Sequence, residues 1–341
     1  MVKEYIGKVV IGENLTEEES YDTINKIMSG EASDAQIASF ITALRMKGET
    51  PEEIIGAAKV MREKATMIHC TDPVVLDTCG TGGDETGTFN ISTVAALISA
   101  GAGVTVAKHG NRAVSSKCGS IDVLKQLGIK IDISPAEVEK CVNEIGIGFL
   151  FAPIYHSAMK YAIGPRREIG IRTIFNIVGP LTNPAGSKHQ LLGVFDQKYL
   201  ETVAFALDSL GSKHSLIVCS SDGIDEITTT SVTNAYELKN GKIKDFVIDP
   251  EHFGFKPAKL EELLGNTPEE NAQTILDILE GKEGYKTDVA ILNAGAAIYV
   301  ADKVESIKEG IELARKSIKS GMAKDKLQTL IKFTNQFEQF T

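Results

Sequence analysis

The sequence has no tryptophan and only five cysteines in 341 residues, and no two of the cysteines form a C-x-x-C pair. The odd number and wide spacing of the cysteines (Cys70, Cys79, Cys118, Cys141 and Cys219) argue against a disulfide framework and against a zinc site. The chain also lacks an apolar signal segment at its start and any apolar run long enough to span a bilayer. These absences predict a cytoplasmic protein in a reducing compartment.

Positive charge is scarce as well, because 36 Lys and Arg residues stand against 46 Asp and Glu residues, for a formal net charge of -10. A nucleic-acid partner would need a basic stripe to replace phosphate counterions, so this balance argues against one. The hydrophobic content of 43% is ordinary for a globular enzyme. An acidic protein that binds an anionic small molecule must gather cations and hydrogen-bond donors at one site.

The pattern of helix and strand signals changes at about Thr71. Before it, helix starts with capping residues at Thr16, Ser33 and Thr50 predict a small all-helical domain. After it, short apolar strands near residues 74–77, 104–107, 148–151, 190–195 and 215–219 alternate with helices. This alternation predicts a larger α/β domain with a mainly parallel central sheet flanked by helices. Asn240-Gly241 predicts a hairpin that adds antiparallel strands, and the tail after Ser306 is predicted to be helical.

A glycine-rich turn follows the first predicted strand, where the sequence reads Asp77-Thr78-Cys79-Gly80-Thr81-Gly82-Gly83-Asp84. Glycines let backbone N–H groups approach a ligand without side chains in the way. The helix predicted from Ser92, with Ser92 and Thr93 at its cap, offers an N-terminus that favours an anion. Such a turn also occurs where a helix merely packs closely on a strand, so the turn alone leaves both interpretations open.

A polar loop follows the next predicted strand and contains Lys108, His109, Asn111 and Arg112 among glycines and serines. This is the local cluster of donors that the acidic composition requires, although a solvated surface loop is the alternative. A third loop carries Asp225 and Glu226, and adjacent carboxylates suit Mg²⁺ together with substrate phosphate oxygens. All three loops follow strands and can meet at the carboxyl edge of one sheet. Together they predict a site for a diphosphate sugar.

These stretches, in this order, resemble the anthranilate phosphoribosyltransferases. The resemblance extends to residues 151–156, to residues 166–173 and to residues 176–184, and it covers nearly the whole chain. It implies phosphoribosyl transfer from 5-phosphoribosyl 1-diphosphate to the amine of anthranilate, in tryptophan biosynthesis. It also implies a homodimer formed through the helical domains. The helical domain would comprise residues 1–70 with residues 165–185 returning to it, and residues 71–164 and 186–341 would form the α/β domain.

The resemblance also assigns roles to residues. Lys108 and Arg166 are expected to be catalytic, with Lys108 near the leaving diphosphate and Arg166 clamping the carboxylate of anthranilate together with Gly80 and Asn111. Two Mg²⁺ ions per subunit are expected on Ser92, Asp225 and Glu226. The donor is expected to contact Gly80, Gly83, Asp84, Thr88, Asn90, Ile91, Ser92, Thr93, Lys108, His109, Gly110, Asn111, Arg112, Ala113, Val114, Ser115, Ser116 and Ser120.

Three positions depart from the usual family pattern, namely Glu85, Ser157 and Ile121, and none of them removes an expected ligand. Arg166 has an alternative role as a salt-bridge partner of Glu168 or of another neighbouring residue. The nearest rival function is a pyrimidine nucleoside phosphorylase of the same architecture, which carries Lys-x-Ser where this chain has Asp77-Thr78-Cys79. A non-catalytic relative that binds nucleic acid is a second alternative, opposed by the acidic composition and by the Asp225-Glu226 pair.

Overall fold

Four helices open the computed structural model, which describes residues 2–82, 86–111 and 119–338. They are α1 (Val2–Val10), α2 (Glu17–Met28), α3 (Asp34–Lys47) and α4 (Pro51–Glu63). The three predicted helix starts are confirmed, because Thr16, Ser33 and Thr50 each accept a hydrogen bond from the backbone of the third helical residue. None of these helices, nor any other helix among the described residues, is both long and apolar enough to cross a bilayer.

A seven-stranded sheet follows, and its strands stand in the order β3-β2-β1-β4-β5-β6-β7. The strands are β1 (Val75–Gly80), β2 (Thr105–Gly110), β3 (Ile147–Phe151), β4 (His189–Gly193), β5 (His214–Ser220), β6 (Thr233–Lys239) and β7 (Lys242–Ile248). The first five run parallel, and β6 and β7 are antiparallel additions. The predicted hairpin is confirmed, and Asn240 and Gly241 have the positive φ angles of 51° and 74° that a tight two-residue hairpin turn needs.

Both faces of the five parallel strands are buried, as a parallel sheet requires, whereas most of β7 is exposed. Neighbouring residues of one strand enter different cores, because Leu191 packs in one hydrophobic cluster and Leu192 in the other. The remaining helices are α5 (Ile91–Gly101), α6 (Ser120–Gln126), α7 (Pro135–Lys140), α8 (Ala152–Tyr155), α9 (Lys160–Ile169), α10 (Ile174–Val178), α11 (Tyr199–Ser209), α12 (Pro268–Leu279), α13 (Tyr285–Val300), α14 (Ile307–Lys319) and α15 (Met322–Thr334). The helical tail is therefore confirmed.

Helices α9 and α10 lie far along the chain but pack on the first four helices. Helix α9 contacts α2 and α3, and α10 contacts α3 and α4. The Arg62 guanidinium at the end of α4 donates hydrogen bonds to the carbonyl oxygens of Leu181 (2.7 Å) and Leu210 (2.9 Å). This packing supports the return of residues 165–185 to the helical domain, and the domain division stays a prediction.

The strand order places a reversal of the chain at the centre of the sheet. From β1 the chain moves outward to β2 and β3, then returns to β4 on the other side of β1 and continues to β5. Loops that leave the carboxyl ends of β1 and β4 therefore part in opposite directions and open a crevice, which is where open α/β sheets bind ligands.

Candidate functional site

The glycine turn after β1 and the acidic pair after β5 meet at this crevice. The backbone N–H of Gly82 donates to Oδ2 of Asp225 at 2.9 Å, and the backbone N–H of Ser92 donates to Oε1 of Glu226 at 3.1 Å. The sequence separates these groups by more than 130 residues. The predicted convergence of the first and third loops is therefore present in the fold.

Glycines at the ends of β1 and β4 make room for the Asp225 segment. A Cβ atom on Gly80 would lie 2.8 Å from Oδ2 of Asp225, and one on Gly193 would lie 1.5 Å from the Asp225 backbone oxygen. The second distance is far inside van der Waals contact, so no side chain fits at position 193 without moving the loop. The two glycines thus allow the Asp225 segment to lie directly against the ends of β1 and β4.

Helix α5 begins directly behind the glycine turn, but its cap differs from the predicted one. The N-cap residue is Asn90, whose ψ angle of 70° lies outside the helical region and whose carbonyl oxygen accepts from the Val94 N–H. Ser92 and Thr93 lie in the first turn instead of at the cap. The prediction was wrong by two residues, because Ile91 already has helical geometry. Because the first N–H groups of a helix have no partner within the helix, the N–H of Ser92 can donate to Glu226.

Lys108, near the end of β2, is only 3% exposed and points at the start of α5. Its ammonium contacts the carbonyl oxygen of Thr78 and donates to the Ser92 hydroxyl at 3.2 Å. The fully buried carboxylate of Asp77 accepts the backbone N–H of His109 at 3.0 Å. Burial raises the pKa of Asp77, and the charge of Lys108 opposes that rise. A cation is thereby fixed beside the glycine turn, where an anion would bind.

His109 lies beside His156, with 5.2 Å between ring centroids. Burial lowers the pKa of His109 to about 3 and that of His156 to about 4, so both rings are neutral at pH 7. Within the described part of the chain, Nε2 of His109 and both ring nitrogens of His156 make no hydrogen bond of good geometry, although backbone groups of Gly179 and Thr182 lie near enough to oppose the lowering of the two pKa values. Buried polar atoms without a well-formed hydrogen bond are costly, and a bound ligand is one way to satisfy them. No role was predicted for His156, although it ends the stretch 151–156 that resembles the family and lies shortly after β3.

Arg166 lies on α9, with its guanidinium carbon 5.3 Å from the centroid of the Phe175 ring. Burial lowers its pKa. Among the described residues the structure gives it no ion pair with Glu168, so that alternative is not seen. A half-buried guanidinium stacked on an aromatic ring is well prepared to bind a planar carboxylate.

The remaining predicted residues fall into two groups. In the first, the Ser120 hydroxyl donates to the Asn111 backbone oxygen at 3.3 Å, Gly110 lies against the same hydroxyl, and Thr88 forms a β-bridge with Leu264. In the second, Gly83, Asp84, Arg112, Ala113, Val114, Ser115 and Ser116 lie outside the described residues, as does Glu85.

The oxygen groups at the head of α5 suit a hard divalent cation. Two carboxylates and the Ser92 hydroxyl gather there, and Mg²⁺ prefers one or two carboxylates together with phosphate oxygens. No thiol or imidazole that would favour a softer metal joins this set among the described residues. The residues present therefore fit magnesium.

Comparisons with known proteins show which families this chain resembles. Residues 3–65 match the model of the glycosyl transferase family helical bundle domain, and residues 72–324 match that of the glycosyl transferase family a/b domain. The anthranilate phosphoribosyltransferase of Alkaliphilus metalliredigens is 51% identical over 99% of this chain and 100% of its own length. That of Acetivibrio thermocellus is 52% identical over 99% of this chain and 98% of its own length.

Solved structures give the same result. The anthranilate phosphoribosyltransferase of Thermus thermophilus has a TM-score of 0.91 at 42% identity, covering 97% of this chain and 99% of its own. The enzyme of Saccharomyces cerevisiae in complex with PRPP and Mg has a TM-score of 0.91 at 28% identity, with 98% of each chain covered. Its complex with 4-fluoroanthranilate has a TM-score of 0.89 at 27% identity, again with 98% of each chain covered.

Proposed function

The chain belongs to the anthranilate phosphoribosyltransferase family, and we propose that its site transfers phosphoribose from 5-phosphoribosyl 1-diphosphate to the amine of anthranilate. The products are N-(5-phosphoribosyl)anthranilate and diphosphate, in tryptophan biosynthesis. One observation supports this reaction more strongly than any other observation does. The glycine turn, the buried Lys108 and the Asp225-Glu226 pair converge at the carboxyl edge of the sheet, where its strand order reverses.

The donor's diphosphate is proposed to lie at the start of α5. The N-terminus of this helix offers backbone N–H groups and the positive end of the helix dipole. Lys108 adds a full positive charge at the same point, through its contacts with Thr78 and Ser92. Because the diphosphate gains negative charge as the bond to the sugar breaks, Lys108 stabilises the leaving group more strongly in the transition state than in the ground state.

Magnesium is proposed to be held by Ser92, Asp225 and Glu226, with two ions per subunit. When bound, it would neutralise charge on the diphosphate. The two carboxylates accept backbone N–H groups of Gly82 and Ser92. These contacts hold the carboxylates near the head of α5, where the proposed magnesium would bind.

Anthranilate is proposed to bind on the other side of the crevice, with its carboxylate on Arg166 and with Gly80 and Asn111 nearby. The neutral rings of His109 and His156 add no charge there, and the one unprotonated nitrogen of each ring can accept a hydrogen bond from the amine. The amine nitrogen forms a bond to the anomeric carbon as the bond to the diphosphate oxygen breaks, and the ammonium group that results loses one proton to water. An aromatic amine is nucleophilic when neutral, so positioning supplies much of the rate.

A homodimer through the helical domains is also proposed. Large apolar side chains are exposed on α3, on α9 and at the end of α1, and these helices are linked through contacts of α3 with the other two. The exposed fractions are 66% for Val10, 72% for Ile11, 84% for Met46 and 51% for Ile163. Such a group of side chains on neighbouring helices supports burial against a second copy of the chain.

Loss of anthranilate fluorescence in the presence of 5-phosphoribosyl 1-diphosphate and Mg²⁺ tests the function directly. We expect the signal to fall only when enzyme, donor and metal are all present. Thymidine cleavage by phosphate is the parallel assay for a nucleoside phosphorylase, and binding to single-stranded DNA at low salt tests a non-catalytic relative. Thymidine cleavage or DNA binding, without any turnover of anthranilate, would refute the proposal.

A further inference from the structure

The turn that precedes α5 is held in place by a segment from much later in the chain. We call residues 87–90 the donor turn, after the sugar donor proposed to bind there, and residues 263–271 the brace. The N–H of Gly265 donates to the Gly87 oxygen at 2.8 Å, and the N–H of Phe89 donates to the Leu263 oxygen at 3.0 Å. Between these two bonds, Thr88 and Leu264 form an antiparallel bridge. The brace thus fixes the backbone of the donor turn as a short extra strand would.

Glycine at position 265 makes this approach possible. A Cβ atom there would lie 2.8 Å from the Cα of Phe89 and 2.7 Å from Oδ1 of Asn271. Both distances are too short for a side chain, so the brace is built around a glycine that lets the Asn271 side chain reach the donor turn.

Asn271, in the first turn of α12, is 2% exposed and has its amide orientation fixed by a backbone group. The N–H of Asn266 lies 3.2 Å from Oδ1 of Asn271 and can only donate. The other end of the amide is therefore the NH₂ group, and Nδ2 of Asn271 donates to Oδ1 of Asn90 at 3.1 Å. The orientation of one amide thus sets the orientation of the next.

Asn90 uses its side chain in an unusual way for an N-cap residue. Asparagine at this position ordinarily accepts an N–H of the first helical turn through its side-chain oxygen, but Asn90 makes no such bond. Its oxygen is occupied by Asn271, and Glu226 takes the Ser92 N–H. The Asn90 NH₂ group is consequently the end of the amide that is directed away from Asn271.

We propose that Asn271 is a positioning residue for the donor, because it makes Asn90 present an N–H donor and not a carbonyl oxygen to the diphosphate. The inference rests on the proposed function, in which Asn90 contacts that diphosphate. Phosphate oxygens accept hydrogen bonds, so the correct amide orientation attracts the donor and the flipped one repels it. Asn271 acts entirely through Asn90 and does not touch the donor.

Asn271→Asp tests this with almost no change in volume. A carboxylate cannot donate to Oδ1 of Asn90, so the Asn90 amide turns its NH₂ toward Asp and its oxygen toward the diphosphate. We expect the Kd of 5-phosphoribosyl 1-diphosphate with Mg²⁺, measured by calorimetry, to rise roughly ten- to a hundredfold. The KM of anthranilate should change little. Gln273→Glu, which adds the same charge at an exposed position of α12, is the matched control and should bind the donor normally.

A double-mutant cycle separates this role from a purely structural one. In an Asn90→Ala background, Asn271→Asp should have almost no further effect on donor Kd, because the side chain through which it acts is gone. An undiminished effect in that background would overturn the inference. If the Asp variant does not fold, Asn271→Ala replaces it in the cycle. Its increase in donor Kd should be smaller and should also vanish in the Asn90→Ala background.

Wild-type protein distinguishes failure of the inference from failure of the proposed function. Donor binding without anthranilate turnover would refute the function, while the cycle on donor Kd would still decide the role of Asn271. A wild-type protein that binds no donor in the presence of Mg²⁺ would overturn both.

Discussion

His189 and His214 open β4 and β5 at the amino edge of the sheet, whereas Lys108 and His109 lie near the end of β2 at the carboxyl edge. All four side chains are buried. At the amino edge, His214 places Nδ1 2.7 Å from Oδ1 of Asp302 and Nε2 3.1 Å from Oε1 of Glu237. At the carboxyl edge, the imidazole nitrogens of His109 and His156 include three atoms that make no hydrogen bond of good geometry among the described residues.

The side chains around His189 and His214, here called the amino-edge cluster, satisfy one another's hydrogen bonds and charges. Nδ1 of His189 lies 2.9 Å from the Val300 oxygen, the Tyr299 hydroxyl donates to Glu237, and the Lys239 ammonium lies 3.3 Å from Asp302. Although ligand atoms of His189, His214 and Asp302 lie within 4.8 Å of one another, the neighbouring Lys239 already supplies positive charge. We therefore interpret this cluster as a structural ion network and not as a metal site.

The difference between the edges separates stability from function. Buried polar groups that satisfy each other stabilise the fold, while the polar groups near the glycine turn at the carboxyl edge keep hydrogen-bonding capacity that a ligand can use. Substitutions at the carboxyl edge should therefore reduce turnover with little loss of stability, and substitutions at the amino edge should do the reverse.

The largest expected effect is at the metal pair. Replacing Asp225 with Asn and Glu226 with Gln together should lower turnover by about two orders of magnitude or more, because charge stabilisation by a metal is worth several kcal/mol. The rate at limiting Mg²⁺ is the measurement, and the thermal midpoint, which should stay near the wild-type value, is the control. Near wild-type turnover of the double variant at limiting Mg²⁺ would rule out these residues as the metal ligands.

Lys108→Met should lower kcat by about a hundredfold, because an electrostatic group aimed at developing charge contributes on that scale. The KM of anthranilate should barely change, since the ammonium lies at the start of α5. Measuring the variant at saturating donor decides between two roles. Full recovery of the rate would mean that Lys108 only binds the donor and does not stabilise the leaving group.

Arg166→Ala should raise the KM of anthranilate by roughly ten- to a hundredfold, which corresponds to the loss of one hydrogen bond to a charged group. The KM of the donor is the internal control and should move far less. Similar increases for both substrates would contradict the clamp and leave Arg166 as a residue that only packs on Phe175.

Local signals allowed much of the carboxyl edge to be predicted from the sequence. Strands followed by polar loops place those loops at one edge, so the approach of Asp225 to Gly82 followed from the alternation of strands and helices. The hairpin at Asn240-Gly241 followed from turn chemistry alone. These features depend on neighbours in the sequence or on a rule of topology.

Contacts between distant side chains could not be predicted in that way. The partners of His214 lie on β6 and after α13, and nothing in the sequence near Glu237 or Asp302 marks them as neighbours. Asn271 likewise meets Asn90 across 181 positions. The return of residues 165–185 to the helices came only from family resemblance, because the hydrophobic pattern of a short helix does not say which core it joins.

Glu237→Gln is the smallest expected effect and tests the amino edge. The hydrogen bond from His214 lowers the pKa of Glu237 below its usual value of 4.5, with a smaller contribution from Tyr299 against the opposing effect of burial. A lowered carboxylate pKa means that the unfolded chain binds more protons, so the stabilisation is present in full above pH 4.5 and is lost as the pH falls through the folded-state pKa. At pH 7 the variant should lose about 1–2 kcal/mol of unfolding free energy in urea, and this gap in unfolding free energy to the wild type should close below pH 4.5.

Turnover of the Glu237→Gln variant at pH 7 should be unchanged. Glu312→Gln, at an exposed carboxylate on α14, should alter neither the unfolding free energy nor the turnover. A gap that stays constant down to pH 3.5, or a variant that loses kcat, would show that the two edges do not divide stability from function as their hydrogen bonding indicates.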